Sequence, residues 1–250
     1  MITLIRSRLR QTISLGLFAA LAIGLTAESA SAAPSRPASA PPEPACTADT
    51  GPYQWQLEQY LKLPADGRQS PADCAAIRTF QAHNGIVPAD GYASLATYRT
   101  TLVIEEHRAP NKAGKCPRRE DRIVCVDLER QLLWVQRDGR VIYPAVAVRS
   151  GRWGQQTRDG WHEITERRID DHSELYDNAP MPYAQYFSGG QAFHGVYGDL
   201  FNGGGSAGCI NLRLSDAQRL WNTIEIGDAV FIWGQKPATG TVRSASAAHR

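Results

Sequence analysis

The chain has 250 residues, enough for one or two domains with a buried core. Its 27 basic and 25 acidic side chains leave a formal charge of only +2. A charge this close to zero, with no basic stripe interleaved with aromatic residues, argues against a nucleic-acid partner.

The first residues have the pattern of an export signal. Three arginines precede an apolar run from Ile13 to Leu25, and Ala30-Ser31-Ala32 supplies small residues at the usual cleavage positions. The pattern predicts a secretory signal peptide over residues 1–32, cut after Ala32. A retained membrane anchor is the alternative, but the apolar run is short for a bilayer, so we expect no stable membrane span after cleavage. The rest of the chain carries 24 basic and 24 acidic side chains.

Two segments have the composition of disordered chain. Residues 33–45 are rich in proline, alanine and serine and have nothing to bury, so they are predicted to form a disordered linker. Residues 235–250 are predicted to be a disordered tail.

Residues 46–110 are predicted to form a small domain of three helices. Trp55, Leu57, Tyr60 and Leu61 recur at helical spacing. A second helix opens at Pro71 and stops at Asn84-Gly85, and Ser94 can cap a last, short helix through Tyr98 and Leu102.

This helical segment resembles the three-helix peptidoglycan-binding domain. The resemblance rests on Ile77-x-x-Phe80-Gln81-x-His83-x-Gly85-Ile86, followed by Asp90-Gly91 and Tyr98. It implies that the segment binds glycan strands. A spacer or a folding aid is the alternative.

After a polar boundary at Asn111–Lys115, the hydrophobic period changes to two, which indicates strands. Asp138-Gly139 predicts a hairpin between two of them, and Pro144 predicts that the strand following this hairpin is bulged or lies at a sheet edge. A later hairpin through Ser188-Gly189-Gly190 leads to His194. Ser215–Gln218 has the pattern of a capping box, and Ala229–Trp233 is predicted to be the closing strand.

Five cysteines in an exported chain cannot all pair with one another. Four cysteines allow three pairings, and the spacings favour Cys46 with Cys74 and Cys116 with Cys125. Under that pairing Cys209 is left as a free thiol.

Cys209 lies in a loop of small residues, fifteen positions after His194. A nucleophilic thiolate needs a basic partner and an accessible sulfur, and small neighbours let a substrate carbonyl approach backbone N–H groups. The alternative is a buried cysteine that acts as a small hydrophobe beside a structural histidine.

The motif His194-Gly195, followed by Ser206-x-Gly208-Cys209-Ile210-Asn211, resembles the active-site signature of the L,D-transpeptidase catalytic domain of bacterial cell-wall enzymes. The resemblance covers residues 115–234 and implies a mainly β, β-sandwich-like catalytic domain after the three helices. Ala207 stands where that family usually has a second histidine, and the spacer before Ser206 is short. Thr157–Ile164 occupies the place of the family's Thr-Pro-x-Gly-x-Phe-x-Ile stretch, with Arg158 and His162 replacing its proline and its aromatic residue.

The resemblance also implies the catalytic roles. His194 takes the proton of Cys209 or holds it as a thiolate, and the carbonyl of Gly195 orients His194. Backbone N–H groups of Gly208 and Cys209 stabilise the oxyanion, while Ser206 and Asn211 shape the loop. The implied reaction is acyl transfer on peptidoglycan stem peptides, which cleaves before the terminal D-alanine and forms third-to-third residue cross-links.

Two more residues receive substrate roles from the resemblance. Tyr183 is expected to line the substrate groove, and Arg213 either holds a substrate carboxylate or faces solvent. His162 is expected to be structural, and Asp170-Asp171-His172 is expected to be a solvated polar loop without a metal ion.

The implied enzyme is secreted, associated with the cell wall, and needs no metal or organic cofactor. We expect carbapenem-type inhibitors to acylate Cys209. Two alternatives remain: an L,D-carboxypeptidase, in which water resolves the thioester, and a non-catalytic wall-binding protein that has kept the fold.

Overall fold

The computed structural model describes residues 45–201 and 204–237, which all belong to one compact unit. The predicted signal peptide, residues 33–44 of the predicted linker and residues 238–250 of the predicted tail lie outside the described residues. Within the described ranges no helix combines the length and the apolar character needed to cross a bilayer.

From residue 45 onward three helices precede the β region, as the sequence predicted: α1 (Gln54–Leu61), α2 (Pro71–His83) and α3 (Leu95–Arg108). Ser70 and Asp73 form a capping box at the start of α2, and the side chain of Ser94 accepts the N–H of Thr97 at the start of α3. The helices share a small core of Leu57, Ile77 and Ala93. The third helix is longer than predicted and reaches Arg108, because its second half packs on the β region.

In the described part of the chain up to residue 237, nine strands and one helix follow: β1 (Arg122–Asp127), β2 (Leu132–Arg137), β3 (Arg140–Ala147), β4 (Gly160–Glu163), β5 (Glu166–Arg168), β6 (Ala184–Ser188), β7 (Gln191–Val196), β8 (Ile210–Arg213), α4 (Leu214–Trp221) and β9 (Ala229–Trp233). They form a five-stranded sheet, in the order β3-β2-β1-β9-β4, and a four-stranded sheet, in the order β5-β6-β7-β8. The pairs β1–β9 and β7–β8 are parallel, and the other pairs are antiparallel.

The main hydrophobic core is built from both sheets. The five-stranded sheet contributes residues such as Val124 and Leu133, and the four-stranded sheet contributes Phe193 and Ile210. Helix α4 adds Leu220 to the same core. The predicted mainly β, sandwich-like domain after three helices is therefore confirmed.

A second core covers the other face of the five-stranded sheet. Successive side chains of a strand point to opposite faces, so Leu133 enters the main core while Trp134 packs with Leu102 of α3. Polar contacts add to this packing: His107 Nε2 lies 2.7 Å from the carbonyl oxygen of Ala145, and Arg130 pairs with Glu106 at 2.7 Å. The helical segment is thus joined to the sheet through α3.

The hairpin signals in the sequence are confirmed. Asp138 and Gly139 join β2 to β3, both with positive φ, as a two-residue turn of this kind requires. Pro144 lies in β3, which is an edge strand whose pairing with β2 has register shifts. Both features suit a residue without a backbone N–H.

Two disulfides join the predicted pairs, Cys46 with Cys74 and Cys116 with Cys125. The fifth cysteine, Cys209, is unpaired.

The predicted capping box at Ser215 is wrong. Helix α4 begins at Leu214 with Arg213 as its N-cap, and no side chain caps it. The reason is that β8 runs directly into the helix, so Ser215 already lies inside the first turn. Asp216 instead binds Arg219 at 2.6 Å.

Candidate active site

Two neighbouring parallel strands carry the motif residues. In the β7–β8 register Phe193 lies opposite Ile210 and His194 lies opposite Asn211. Side chains alternate along a strand, and because Phe193 and Ile210 point into the core, His194 and Asn211 point to the other face. Cys209 precedes β8 by one residue and shares that face. Residues far apart in the sequence thereby meet at one cleft.

The cleft has a volume of about 790 Å³. His194, Cys209 and Asn211 line it together with Ser206, Ala207 and Arg149. The segment between β5 and β6 and the turn at Gly189-Gly190 form other parts of its wall. The cleft is therefore large enough for a peptide segment and opens directly onto the cysteine sulfur.

The loop before Cys209 is held by side-chain hydrogen bonds. The Ser206 hydroxyl donates to the carbonyl oxygen of Cys209 at 2.5 Å and accepts the N–H of Gly208 at 3.0 Å. Thr157 Oγ1 donates to the carbonyl oxygen of Gly208 at 2.8 Å and accepts the N–H of Gly151 at 3.0 Å. The Gly208 N–H, expected as an oxyanion donor, is thus engaged by Ser206 in this structure.

Gly208 can be replaced by no other residue without strain. Its φ of +114° is rarely adopted by residues with a side chain, and an added Cβ would lie 2.1 Å from Nε2 of Gln191. Gln191 is itself fixed, because its amide accepts the N–H of Arg158 and donates to the carbonyl oxygen of Gln156. The backbone can therefore pass close to β7 only with glycine at this position.

His194 is buried, and each of its ring nitrogens has a partner. Nδ1 lies 2.9 Å from the carbonyl oxygen of Gly195, and Nε2 lies 2.9 Å from Nδ2 of Asn211. Burial lowers the pKa of His194 and the nearby charge of Arg149 acts in the same direction, while the Gly195 contact and Asp171 oppose them. The lowered pKa favours the neutral imidazole at neutral pH.

The Cys209 thiol is half-buried, and its sulfur lies 3.9 Å from the carbonyl oxygen of Gly190. Burial raises the pKa of Cys209, and the backbone N–H of Ala192 opposes the rise. The hydrogen bonds of the sulfur and of His194 thus go to different partners. Both pKa shifts favour a neutral thiol and a neutral imidazole over a thiolate–imidazolium pair in this arrangement.

Two other expected site residues lie elsewhere. Tyr183 does not line the cleft: with φ at +60° it packs against the main core, its ring centroid 6.2 Å from that of Trp221. Arg213 is exposed, and its guanidinium carbon lies 5.4 Å from the ring centroid of Phe201, in a separate cavity beside the helical segment. Alternation along β8 would put Arg213 on the face of Asn211, but the chain turns there into α4.

Asp171 was not predicted to be a site residue. The segment Asp170-Asp171-His172 was predicted to be solvated, yet Asp171 is only 9% exposed and accepts a 2.6 Å hydrogen bond from the Tyr186 hydroxyl. Although burial raises its pKa, the bonds from Tyr186 and the backbone N–H of His172 bring the pKa of Asp171 below its ordinary value.

In the described ranges no group of His, Cys, Asp or Glu is arranged to hold a metal ion. His162 is bonded to the carbonyl oxygens of Arg158 and Asp159 at 3.1 Å.

Comparison with known proteins identifies the domain that carries this site. Residues 121–232 match the sequence profile of the L,D-transpeptidase catalytic domain. The chain also resembles the crystal structure of an L,D-transpeptidase from Stackebrandtia nassauensis, with 35% identity and a TM-score of 0.57, over 78% of this chain and 99% of the other. The chain therefore belongs to the L,D-transpeptidase family.

Other similar structures have lower scores. An L,D-transpeptidase from Xylanimonas cellulosilytica is 27% identical over 78% of this chain and 98% of the other, with a TM-score of 0.42. L,D-transpeptidase 3 from Mycobacterium tuberculosis, solved with a faropenem-derived adduct, is 18% identical over 46% of this chain and 60% of the other, with a TM-score of 0.41. No curated protein sequence matches the chain.

Proposed function

We propose that this L,D-transpeptidase is a cysteine acyltransferase that cleaves peptidoglycan stem peptides before the terminal D-alanine and links third residues to one another. The observation that carries the proposal is the unpaired Cys209 on the same sheet face as His194, at an open cleft. Family membership supports the substrate class.

The pKa shifts favour general-base catalysis over a thiolate formed in advance. His194 Nε2 releases Asn211 and takes the thiol proton as Sγ attacks the carbonyl carbon of the third stem residue. The C–N bond to D-alanine then breaks, and the leaving amine takes that proton from His194. The result is a thioester between the stem peptide and Cys209.

The second half of the reaction reverses these proton movements. An amine of a neighbouring stem attacks the thioester and gives its proton to His194. The new amide bond forms, the C–S bond breaks, and the sulfur recovers a proton from His194. We propose the backbone N–H of Cys209 as the first oxyanion donor. The Gly208 N–H becomes the second donor when its hydrogen bond to the Ser206 hydroxyl breaks.

The segments outside the catalytic domain fit an enzyme that acts on the cell wall. We propose that residues 46–110 bind glycan strands and hold the enzyme at the wall. Two disulfides are consistent with an extracytoplasmic protein, and the signal peptide proposed for residues 1–32 would export it. The chemistry needs no metal or organic cofactor.

Product analysis tests the proposal. The oxidised protein without residues 1–32 is incubated with tetrapeptide-bearing muropeptides, and the products are separated by mass. Cross-linked dimers with third-to-third bonds are expected, and they should be absent with Cys209→Ala and His194→Gln. Trimmed monomers alone would support the carboxypeptidase alternative, and no turnover would support the non-catalytic one.

Two controls make the comparison specific. His162→Gln removes a histidine whose ring is bonded to backbone carbonyl oxygens outside the cleft, and it should retain dimer formation. A carbapenem, which presents a strained amide to a nucleophile, should add its mass to the wild type and not to Cys209→Ala.

A further inference from the structure

Arg149 was not identified from the sequence, yet it contacts the motif asparagine through both its backbone and its side chain. The backbones of Arg149 and Asn211 exchange two hydrogen bonds, of 3.0 and 2.9 Å. The Arg149 Nε lies 3.0 Å from Oδ1 of Asn211. Three hydrogen bonds therefore fix Asn211 against Arg149, and Asn211 is only 2% exposed.

This contact fixes which way the Asn211 amide points. A guanidinium can only donate hydrogen bonds, so the amide atom that faces Arg149 Nε must be the oxygen. The flipped amide would place two donors against each other. The amide nitrogen is therefore the atom that faces His194, at 2.9 Å from Nε2.

The amide orientation in turn fixes the tautomer of His194. The amide nitrogen donates, so Nε2 must accept and carries no proton. The ring proton is then on Nδ1, which donates to the carbonyl oxygen of Gly195 at 2.9 Å. A protonated ring would turn an N–H toward the amide N–H, so the same contact also disfavours the imidazolium.

We propose that Arg149 is a positioning residue that acts through Asn211 to hold His194 as the neutral Nδ1–H tautomer, with the Nε2 lone pair kept ready for a proton. The tautomer follows from the contacts alone, and its value to catalysis rests on the proposed function. Arg149 also lines the cleft that holds His194 and Cys209. In this proposal its guanidinium takes no part in proton transfer or bond formation.

Nitrogen-15 NMR of the histidine rings tests the proposal without any substrate. In the wild-type protein with labelled histidine, His194 should show a protonated Nδ1 and an unprotonated Nε2 across neutral pH. Arg149→Met frees the amide to flip, so His194 should populate both tautomers. Its protonation midpoint should also rise, because the Arg149 charge lowers the pKa of His194 in the wild type. Arg149→Lys, which retains a donor and the charge, should restore much of the wild-type spectrum.

Matched variants protect the test from simple misfolding. Arg152→Met removes an exposed arginine whose guanidinium carbon lies 5.9 Å from the Tyr176 ring centroid, and the His194 spectrum should be unchanged. Asn211→Asp has nearly the same shape but can only accept, so it should draw the proton to Nε2 and raise the midpoint even if Arg149→Met does not fold.

The results separate the two proposals. A wild-type His194 protonated at Nε2, or a folded Arg149→Met protein with an unaltered His194 spectrum, would overturn the positioning role, as would an Asn211→Asp spectrum like that of the wild type. The expected spectra in a protein without turnover would leave the positioning role intact and reject the acyl-transfer function instead.

Discussion

Thr157 donates a 2.8 Å hydrogen bond to the carbonyl oxygen of Gly208, the residue immediately before Cys209. The same hydroxyl accepts the N–H of Gly151, so one buried side chain joins the segment before β4 to the cysteine loop. Such a bridge sets the position of the sulfur without touching it.

Replacing Thr157 with valine should therefore loosen the loop. The variant leaves a buried N–H and a buried carbonyl without their partner, and each such group costs about 1–3 kcal/mol of unfolding free energy. We expect slower carbapenem acylation of Cys209 as well. Thr157→Ser keeps the hydroxyl and should keep most of the rate, and equal rates for Thr157→Val and the wild type would show that the bridge does not position the sulfur.

The Cys209 thiol should behave as a neutral group at neutral pH. Burial raises the pKa of Cys209, and the hydrogen bonds of His194 are directed elsewhere. Alkylation by iodoacetamide should be slow near pH 7 and should rise with pH to a midpoint above about 8.5, the ordinary value for cysteine. Fast alkylation that stays level from about pH 5 upward would instead reveal a thiolate–imidazolium pair.

His194 should make the folded state less stable in acid. Its pKa is lower in the folded protein, mainly through burial, so below the ordinary value of about 6.5 the unfolded chain binds the extra proton more readily. The stabilisation is present above that pH and is lost as the pH falls toward the folded-state value. Urea unfolding at a series of pH values should show this loss for the wild type.

His194→Gln is the reference for that series, because it cannot titrate. The difference in unfolding free energy between wild type and variant should change between about pH 7 and about pH 5. A difference that is constant over this range would mean that His194 titrates equally in both states.

A partly buried salt-bridge network connects helix α3 to the five-stranded sheet. Arg130 binds Glu106 at 2.7 Å and Asp127 at 2.7 Å, and the Glu106 side chain is only 2% exposed. Arg130→Met should leave that buried carboxylate unpaired and cost about 3 kcal/mol of unfolding free energy. Adding Glu106→Gln should recover part of the loss, and simple additivity of the two changes would contradict a direct coupling.

Local signals predicted most of the secondary structure. The Asp138-Gly139 turn, the capping serine Ser94 and the alternating runs are encoded by residues close together in the chain. The length of α3 was missed because its last turns are stabilised by the sheet and not by their own sequence. The capping box predicted at Ser215 was also wrong because of tertiary structure: β8 ends at Arg213, so α4 starts at Leu214.

The site was predictable only where its residues belong to a motif. His194 and Cys209 were found by their neighbours in the sequence, but the parallel pairing of β7 with β8 that brings them together is a long-range contact. Arg149 and Asp171 belong to no such motif, and only the folded chain places them at the cleft or beside it. Tyr183 was expected in the groove, but its ring packs against the main core near Trp221, a long-range contact that no local pattern predicts.

The most direct test of the account asks where the acyl group is carried. The oxidised protein is mixed with a tetrapeptide donor in the absence of an acceptor amine, quenched in acid, and examined by intact mass and peptide mapping. We predict an adduct equal to the donor minus D-alanine on the peptide that contains Cys209, absent from Cys209→Ala. An adduct on another residue, or D-alanine release by Cys209→Ala at the wild-type rate, would contradict the account.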